Sequence, residues 1–498
     1  MRKISLFAIM LLTVVAAAAQ PQQPTVRSGK ITKGVDYVMA HDAKIASING
    51  NEVVIATNAT RSILGTVSTK GLEVMVTDTN MKVLRRVELP DSKMCKVVFA
   101  TSVDGMVYVL FRHEFYAKYY RAVVDPQSMT VMSCNMMQSD VPCENFEAYR
   151  WTAKSDNGLF YALAGVSVNA GTKEAQARQW LFDEKLEVLW EKHYESRMLS
   201  SMTVNDDGVV SLFGYSYDKK NGETTVKLAT VDVDNEESYT AKLNIGEVER
   251  MSLLNIVGNV AVAAGIIRSS QTPKNADSYY DQMFGLAFDM KKEQVRTTMV
   301  HFTSDELNVF YNRSTKKACP KDMVDGLVVT DHTATDYGGA MLLQRRWKIT
   351  THSSRNPDVH DYYTMGSLVL GVDTTGQILW HKPLRTVYSE MTGSAYDVAC
   401  YSDAMLKAQG DNVYVLVPEQ SKSAVDYNIE KAVMNFKVGQ RAHAYAIYGV
   451  DKAGQVSKSV WPQKERTSLM DNMLNIAPGK YVGVHSFRNK SALVYVNF

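Results

Sequence analysis

The chain has 498 residues, of which 45% are hydrophobic and 22% charged, and its formal net charge is +2. This composition is typical of a globular protein and lacks the surplus of Lys and Arg that nucleic acids attract. The five cysteines form no CxxC pair, so neither a zinc knuckle nor a thioredoxin-like redox centre is predicted.

Residues 1–19 have the pattern of a secretory signal peptide. A positively charged start precedes the apolar run ISLFAIMLLTVV, and the small residues of AAAAQ place a cleavage site before Gln20. The run is shorter than the about 20 apolar residues that span a bilayer, and no lipid-accepting Cys follows it. We expect a periplasmic or extracellular mature protein that begins with a flexible segment, 20–28.

A second apolar run, 251–267, is the other candidate for a membrane span. Asn255, Gly258 and Asn259 interrupt it, and its length is marginal for crossing a bilayer. We therefore predict no membrane span once the signal peptide is removed.

The chain after Gln20 has an all-β pattern. Runs of about four to eight residues rich in Val, Tyr, Phe, Leu and Ile alternate with Gly, Asn and Asp, and no long stretch keeps a helical period. Seven hairpin-like units share an Asp that ends one strand and begins a short polar turn, where its carboxylate can accept the turn amides. These residues are Asp78, Asp125, Asp183, Asp232, Asp289, Asp373 and Asp451.

A second set of turns is built around glycine. Asn-Gly and Asp-Gly steps supply the positive φ that two-residue hairpins require. The eight glycines are Gly50, Gly105, Gly158, Gly208, Gly258, Gly339, Gly410 and Gly479. Glycine turns and aspartate turns alternate along the whole chain, which indicates a repeat of two hairpins.

Two hairpins in each repeat of about 50 to 80 residues describe a four-stranded antiparallel sheet, and a ring of such sheets is a β-propeller. Because there are eight glycine turns and seven aspartate turns, the last repeat lacks its fourth strand. The segment 29–38 is a candidate for that strand. We predict an all-β fold, a single propeller domain over 29–498 with eight blades closed by an N-terminal strand; seven blades with an irregular end is the alternative.

The stretch GVDTTGQILW resembles the repeat of quinoprotein-type (PQQ-like) propellers, in which an Asp, a Thr-Gly turn and a Trp recur. The match is full at Asp373, Thr375, Gly376 and Trp380, and partial at Asp183 and Trp190. The resemblance implies a propeller in which these tryptophans pack between neighbouring blades. No two cysteines are adjacent, as a quinone-dependent dehydrogenase would require, and the Asp-to-Trp spacing misses the sialidase Asp-box. We expect no cofactor.

Catalytic and metal-binding patterns are weak. His113 opens a metalloprotease-like motif, but its fifth position is Ala117. The acidic stretch 232–238 lacks the central Gly of a calcium loop, and the motif DVHDYY around His360 indicates an exposed polar loop. No nucleophile elbow or phosphate loop is present, so we predict no catalytic or metal-ligating residue.

Four long segments, 268–281, 303–322, 346–365 and 418–441, fall between hairpins of the fifth to seventh repeats. Segments of this length are usually functional or disordered. Two stretches, SDELNVFYN and AVDYNIEKAVMNF, have the caps and spacing of short helices. Our hypothesis is a ligand-binding site on this face, because amphipathic aromatic rings suit stacking on sugars or peptides. The candidate contact residues are Tyr279, Tyr280, Trp347, Arg355, His360, Tyr362, Tyr363 and Tyr427.

The function predicted from the sequence is that of a secreted or periplasmic, non-enzymatic binding or scaffolding protein whose ligand is a protein partner or a glycan. Periplasmic propellers that scaffold outer-membrane assembly share such repeats without catalytic residues, a comparison of fold alone. The alternative is a glycan-active hydrolase or lyase, whose paired carboxylates would come from distant repeats. The sequence leaves two alternatives for Cys134 and Cys143, a disulfide between them or two free thiols.

Overall fold

Eight antiparallel sheets follow one another in the computed structural model, and each is a blade of a β-propeller. The structure describes residues 24–29, 32–33, 43–63, 66–113, 116, 118–137, 146–168, 175–194, 199–270, 279–310, 324–351, 359–392, 404–419, 444–462, 473–477, 479–487 and 490–498. The prediction of an eight-bladed propeller is confirmed, and the seven-bladed alternative is wrong.

Two short strands, β1 (Thr25–Ser28) and β2 (Thr32–Lys33), open the described chain. Blade 1 contains β3 (Lys44–Asn49), β4 (Glu52–Ile63), β5 (Thr66–Asp78) and β6 (Val83–Glu88). Blade 2 contains β7 (Cys95–Val103), β8 (Met106–His113), β9 (Tyr119–Asp125) and β10 (Thr130–Met136). Blade 3 contains β11 (Phe146–Lys154), β12 (Tyr161–Val168), β13 (Ala175–Phe182) and β14 (Val188–Tyr194). Blade 4 contains β15 (Leu199–Val204), β16 (Val210–Asp218), β17 (Glu223–Val231) and β18 (Glu236–Leu243).

Blade 5 contains β19 (Val248–Val257), β20 (Val260–Arg268), β21 (Tyr279–Asp289) and β22 (Gln294–His301). A helix, α1 (Ser304–Phe310), and a short strand, β23 (Val324–Asp325), follow it. Blade 6 contains β24 (Leu327–Thr335), β25 (Gly338–Thr351), β26 (Val359–Asp373) and β27 (Ile378–Thr392). Blade 7 contains β28 (Met405–Gln409), β29 (Asn412–Glu419), β30 (Ala444–Val450) and β31 (Val456–Pro462). Blade 8 contains β32 (Leu474–Ala477), β33 (Lys480–Phe487) and β34 (Lys490–Asn497).

The N-terminal strand completes the last blade. β1 pairs antiparallel with β34, from Thr25 opposite Asn497 to Ser28 opposite Val494, and β2 pairs further along the same strand. Closure by an N-terminal strand is therefore confirmed. The pairing begins at Thr25, inside the segment 20–28 and ahead of the predicted 29–38, because Val26 is the residue whose side chain enters the core between blades 7 and 8.

The first strand of each blade lies nearest the axis of the ring. Contacts join β3 to β7, β15 to β19, β24 to β28 and β32 back to β3. The middle strands of a blade are covered on both faces by neighbouring blades, so they are continuous apolar runs, as in β20 and β30. The fourth strand lies at the rim and alternates between half-buried and exposed residues, as in β6.

The core lies between the blades and not at the centre of the ring. Among the described residues, each of eight buried apolar clusters joins one pair of neighbouring blades. Trp380, 5% exposed, belongs to the cluster between blades 6 and 7, and Trp190 to the cluster between blades 3 and 4. Both tryptophans thus pack between blades, as the resemblance to quinoprotein-type propellers implies.

The aspartate turns are formed as the sequence predicts. In the Asp373 turn, one carboxylate oxygen accepts the amides of Thr375 at 2.8 Å and Gln377 at 2.9 Å. Equivalent side-chain bonds occur at the six other turns. The carboxylate closes the turn by satisfying amides that no strand partner can reach.

Seven of the eight predicted glycines have positive φ, and Gly339 does not. The positive φ in that hairpin belongs to Gly338, at 153°. A Cβ at Gly339 would lie 2.4 Å from the Cβ of Leu254 in blade 5. Gly339 therefore serves close packing between two blades, so its assignment as the turn glycine is wrong.

The remaining sequence predictions concern the membrane and the cysteines. The run 251–267 forms most of β19 and β20, and no helix in the described part of the chain has the length and apolar character needed to cross a membrane. Cys134 is a free thiol, and Cys143 lies outside the described residues.

Candidate functional site

The two faces of the ring differ in chemistry. On one, which we call the turn face, lie the turns joining strands one and two and strands three and four of each blade. These described turns hold 17 Asp and Glu residues against five Lys. They comprise 50–51, 78–82, 104–105, 125–129, 155–160, 183–187, 205–209, 232–235, 258–259, 289–293, 336–337, 373–377, 410–411 and 451–455. The opposite face, the loop face, carries the longer connections and the residues predicted to bind a ligand.

The segment 346–365 was predicted as a loop, and most of it is strand. β25, β26 and β27 contain 14, 15 and 15 residues, whereas β24 beside them contains nine. The additional residues, about six per strand, extend the sheet by roughly 20 Å on the loop face. We call residues 346–351, 359–365 and 385–392 the blade 6 extension. The β-prone stretches WKITT and VHDYYT explain why these residues form strands.

The register of the extension places four of the predicted residues. Trp347 lies opposite Tyr363, Lys348 opposite Tyr362 and Thr350 opposite His360. Directly opposed residues occupy one face of a sheet and consecutive residues occupy opposite faces. Positions 347 and 363 therefore share one face, and positions 360 and 362 share the other.

Of the other four predicted residues, the structure describes two, Tyr279 and Tyr280, and both belong to blade 5. Tyr280 is 5% exposed in the core between blades 5 and 6, so its side chain offers a ligand little surface. Tyr279 is half-buried at the start of β21 and pairs with Asp325 of β23. Arg355 and Tyr427 lie outside the described residues.

A short helix supports the base of the extension. The helix predicted near SDELNVFYN is present as α1, whereas the one predicted near AVDYNIEKAVMNF lies outside the described residues. The Thr303 amide donates to Glu306 Oε2 at 2.7 Å, and the Glu306 amide donates back to Thr303 Oγ1 at 3.4 Å. This reciprocal capping box fixes where α1 begins.

Three contacts hold α1 against blade 6. Gly366, at a φ of 73°, lies where a Cβ would be 2.7 Å from the Val309 carbonyl oxygen. Arg345 donates to the Phe310 carbonyl at 2.9 Å, which caps the end of the helix. The carboxylate of Glu306, whose side chain is 1% exposed, bonds to Nδ1 of His381 in β27. The base of the extension is therefore fixed by packing and by polar contacts.

Blade 1 has a second extension that the sequence reading did not predict. β4 and β5 contain 12 and 13 residues and remain paired from Glu52 opposite Asp78 to Ile63 opposite Thr66. The available signal was the absence of any turn residue between Asn58 and the Leu-Gly step at 64–65. Both extensions leave the ring on the loop face.

A group of polar side chains that the sequence analysis did not identify lies near the axis on the turn face. It consists of Asp331 and His332 of β24, Lys407 of β28, Asn475 of β32 and Tyr481 of β33, and we call it the axial cluster. The Lys407 ammonium is 5.8 Å from the centre of the Tyr481 ring, and Asn475 pairs directly with Tyr481. No local motif could reveal it, because its members come from three blades.

Charges inside the cluster act on one another. Burial lowers the pKa of His332; Asp331 opposes this shift and Lys407 adds to it. Burial also raises the pKa of Tyr481, and the carboxylates of Asp156 and Asp331 raise it further. No group of three or more His, Cys, Asp and Glu residues able to hold a metal occurs among the residues that the structure describes.

Comparisons with known proteins find similarity to solved structures at low sequence identity. No family model and no curated protein matches the chain. The WD40 domain of SCAP from fission yeast is 9% identical, with a TM-score of 0.36, covering 96% of this chain and 99% of that one. A mutant apocarotenoid oxygenase of Synechocystis is 8% identical (TM-score 0.35, 91% and 95% covered), and the Dos1 propeller is 8% identical (TM-score 0.37, 78% and 92% covered).

Proposed function

We propose that this chain is a secreted or periplasmic, non-enzymatic binding or scaffolding protein that holds a protein partner on its loop face through the blade 6 extension. The observation that carries the proposal is the continuation of β25, β26 and β27 beyond the part of blade 6 that β24 covers. The signal-peptide pattern of residues 1–19 supports the location outside the cytoplasm.

The edge of the extension favours a protein over a glycan. β27 is the outermost strand of blade 6, and in the described part of the chain it pairs only with β26. A long edge strand presents a row of backbone donors and acceptors that an extended peptide can complete as an additional strand. The rigid ring and the docked helix α1 hold this edge in place, which lowers the entropy lost on binding.

An array experiment tests the proposal. Residues 20–498 would be probed on peptide and glycan arrays beside a Tyr362→Ala/Tyr363→Ala variant, which removes an aromatic residue from each face of the extension. A Thr60→Ala/Ser62→Ala variant in the blade 1 extension is the matched control. We expect extended peptides to bind the native protein and the control, and to bind the tyrosine variant at least about tenfold more weakly.

Two results would count against the proposal. Equal peptide binding by all three folded proteins would remove the blade 6 extension as the site. Binding of a glycan followed by its cleavage would favour the glycan-active hydrolase or lyase in its place.

A further inference from the structure

Exposed aliphatic side chains lie where the outer hairpins of blades 3 and 4 reach the turn face. Val188 and Leu189 at the start of β14 are 47% and 42% exposed, and Val233 in the turn before β18 is 64% exposed. Single exposed aliphatic residues are common on protein surfaces, whereas neighbouring ones mark a contact surface. We call these three residues the rim patch.

The three residues are neighbours because they flank one buried cluster. Trp190 and Val231 pack in the apolar cluster between blades 3 and 4. Leu189 directly precedes Trp190, and Val233 follows Val231 by two residues. The rim patch is therefore the exposed continuation of a cluster that joins the two blades.

A β-bulge explains why two consecutive residues of β14 are both exposed. In a regular strand Val188 and Leu189 would point to opposite faces, and a neighbouring blade would cover one of them. Along β14, Val188 and Trp190 pair with consecutive residues of β13, so Leu189 between them is the extra residue of a bulge. A bulge of this kind re-aims a side chain, and here it adds an aliphatic one to the surface.

Polar contacts hold the two hairpins in place. Lys192 of β14 and Glu236 of β18 form an ion pair at 3.5 Å, which joins the outer strands of blades 3 and 4. The turn that carries Val233 is closed by Asp232, whose carboxylate accepts the Asp234 amide at 2.8 Å. The rim patch thus has a fixed backbone, which lowers the entropy lost when a partner binds.

Negative charge surrounds the rim patch. Residues 183–187 and 232–237 hold seven carboxylates and one ammonium group. That ammonium, of Lys185, is already paired with Asp104 of blade 2 at 3.1 Å. Cations of neighbouring strands pair with two of the seven carboxylates, and the surplus stays negative. The potential of this surface therefore attracts Lys and Arg and opposes acidic groups.

The combination of aliphatic and acidic groups selects the class of partner. Aliphatic side chains of a partner would cover the rim patch and remove it from water. A chain that is only cationic would leave the patch exposed, whereas an acidic amphipathic chain would bring like charges together. A segment that carries both aliphatic and basic residues meets neither obstacle.

We propose that the rim patch binds a cationic amphipathic segment of a partner protein. Aliphatic side chains of the segment pack on Val188, Leu189 and Val233, and its Lys or Arg residues pair with Asp234 and Glu237. The rim patch lies on the turn face and the blade 6 extension on the loop face, so this contact goes beyond the function proposed above and does not depend on it.

Three synthetic peptides of about 14 residues test the proposal. The first is built from Leu and Lys with its Leu residues on one side, the second has Glu in place of Lys, and the third has Ser in place of Leu. Fluorescence anisotropy at low and high salt would measure their binding to residues 20–498. We expect the Leu/Lys peptide to bind, less tightly at high salt, and the other two to bind at least about tenfold more weakly.

Variants locate the contact. Leu189→Ser/Val233→Ser should weaken the Leu/Lys peptide at least about tenfold, and Asp234→Asn/Glu237→Gln should weaken it chiefly at low salt. All four residues are exposed, so the melting temperature should change little. The matched control is Val456→Ser, which should leave binding unchanged, because Val456 is 45% exposed at the start of the outer strand of blade 7.

Four outcomes would overturn the proposal. They are equal binding of the Ser/Lys peptide, tighter binding of the Leu/Glu peptide, equal effects of Val456→Ser and Leu189→Ser/Val233→Ser, and no binding of the Leu/Lys peptide to folded protein at about 1 mM. Sedimentation adds a fifth: a dimer of the native chain that Leu189→Ser/Val233→Ser abolishes would assign the rim patch to a second copy.

The two binding surfaces can be tested separately. The Tyr362→Ala/Tyr363→Ala variant of the blade 6 extension should bind the Leu/Lys peptide as the native protein does. The Leu189→Ser/Val233→Ser variant should keep the array binding expected of the blade 6 extension. Failure of this proposal and failure of the proposed function are therefore distinguishable.

Discussion

At Gly376, a turn residue also sets the spacing between two blades. Its φ of 83° suits glycine, and a Cβ there would lie 2.7 Å from the Ala287 amide nitrogen and 2.8 Å from the Arg296 carbonyl oxygen. Both of these atoms belong to the backbone of blade 5, which cannot move aside cheaply. The Thr-Gly step therefore acts in the turn and in the contact between blades 5 and 6.

The substitution Gly376→Ala should lower the free energy of unfolding by about 3 kcal/mol, because a left-handed φ and a backbone clash are added together. Gly410→Ala is the matched control, since Gly410 has a φ of 58° and no atom within 4 Å of the added Cβ. It should cost only about 1 kcal/mol. Denaturant unfolding of both variants measures the difference, and equal costs would show that the blades can separate to accept a methyl group.

The thiol of Cys95 illustrates burial at the scale of one residue. Burial raises the pKa of Cys95 from 9.0 to about 11; nearby Arg112 opposes this shift, while Cys134 and Asp91 add to it. The unfolded thiol therefore ionises first, and the stability that comes from burying the neutral group is lost as the pH rises from 9 to 11.

The difference of about two pKa units between the unfolded and the folded thiol corresponds to about 3 kcal/mol of stability at Cys95. Native protein should lose stability across that interval faster than a Cys95→Ala variant, as measured by urea unfolding at several pH values. Parallel curves for the two proteins would contradict the assignment.

At the scale of one element, α1 depends on a single buried charge. Glu306 caps the helix with one carboxylate oxygen and bonds to His381 with the other, and its side chain is 1% exposed. Removing the partner of a buried charge costs more than the pair itself contributes, because the charge is left without compensation.

His381→Leu should therefore lower the free energy of unfolding by about 3 kcal/mol. Adding Glu306→Gln removes the charge and keeps an oxygen for the cap, so the double variant should recover at least half of that loss. Denaturant unfolding at pH 7 measures both values. A double variant less stable than His381→Leu would mean that the capping charge matters more than its partner.

The strand register decides which face of the sheet each of the predicted aromatic residues occupies. Trp347, Tyr362 and Tyr363, which the sequence analysis named as candidate contact residues, all lie in the blade 6 extension. The sequence could not assign them to faces, because that requires knowing that the segment is strand and where its partner begins. The sequence also could not show that Tyr280 is buried. An aromatic residue beside a polar segment is predicted to be accessible, but Tyr280 belongs to the core.

At the scale of the whole molecule, the ring is closed by the short N-terminal strands β1 and β2, which both pair with β34. Val26 is 7% exposed and packs between blades 7 and 8, whereas Thr25 beside it is exposed. Val26→Asp would place a charge in that core and should cost about 3 kcal/mol or more. Thr25→Asp, on the same strand, should change stability by no more than about 0.5 kcal/mol. Thermal unfolding compares the two variants, and equal melting temperatures would show that β1 does not carry the closure.

The repeat could be predicted because each turn is determined by residues that are neighbours in the sequence. An Asp that accepts its own turn amides and a glycine at positive φ depend on three or four neighbouring residues, so both kinds of turn could be recognised from the chain. Counting them gave the number of blades and the missing strand. Gly339 is the exception, because its requirement comes from Leu254 in another blade.

The sequence by itself determined the all-β class, the eight repeats and the need for an N-terminal strand, since hairpin turns and strand periodicity are short-range properties. Only the tertiary structure decided which strands extend beyond the ring, that Glu306 meets His381, and that Lys407 of blade 7 lies over the ring of Tyr481 of blade 8. The physical reason is that closing a ring brings together side chains from distant repeats, and no local pattern of residues records which of them will meet.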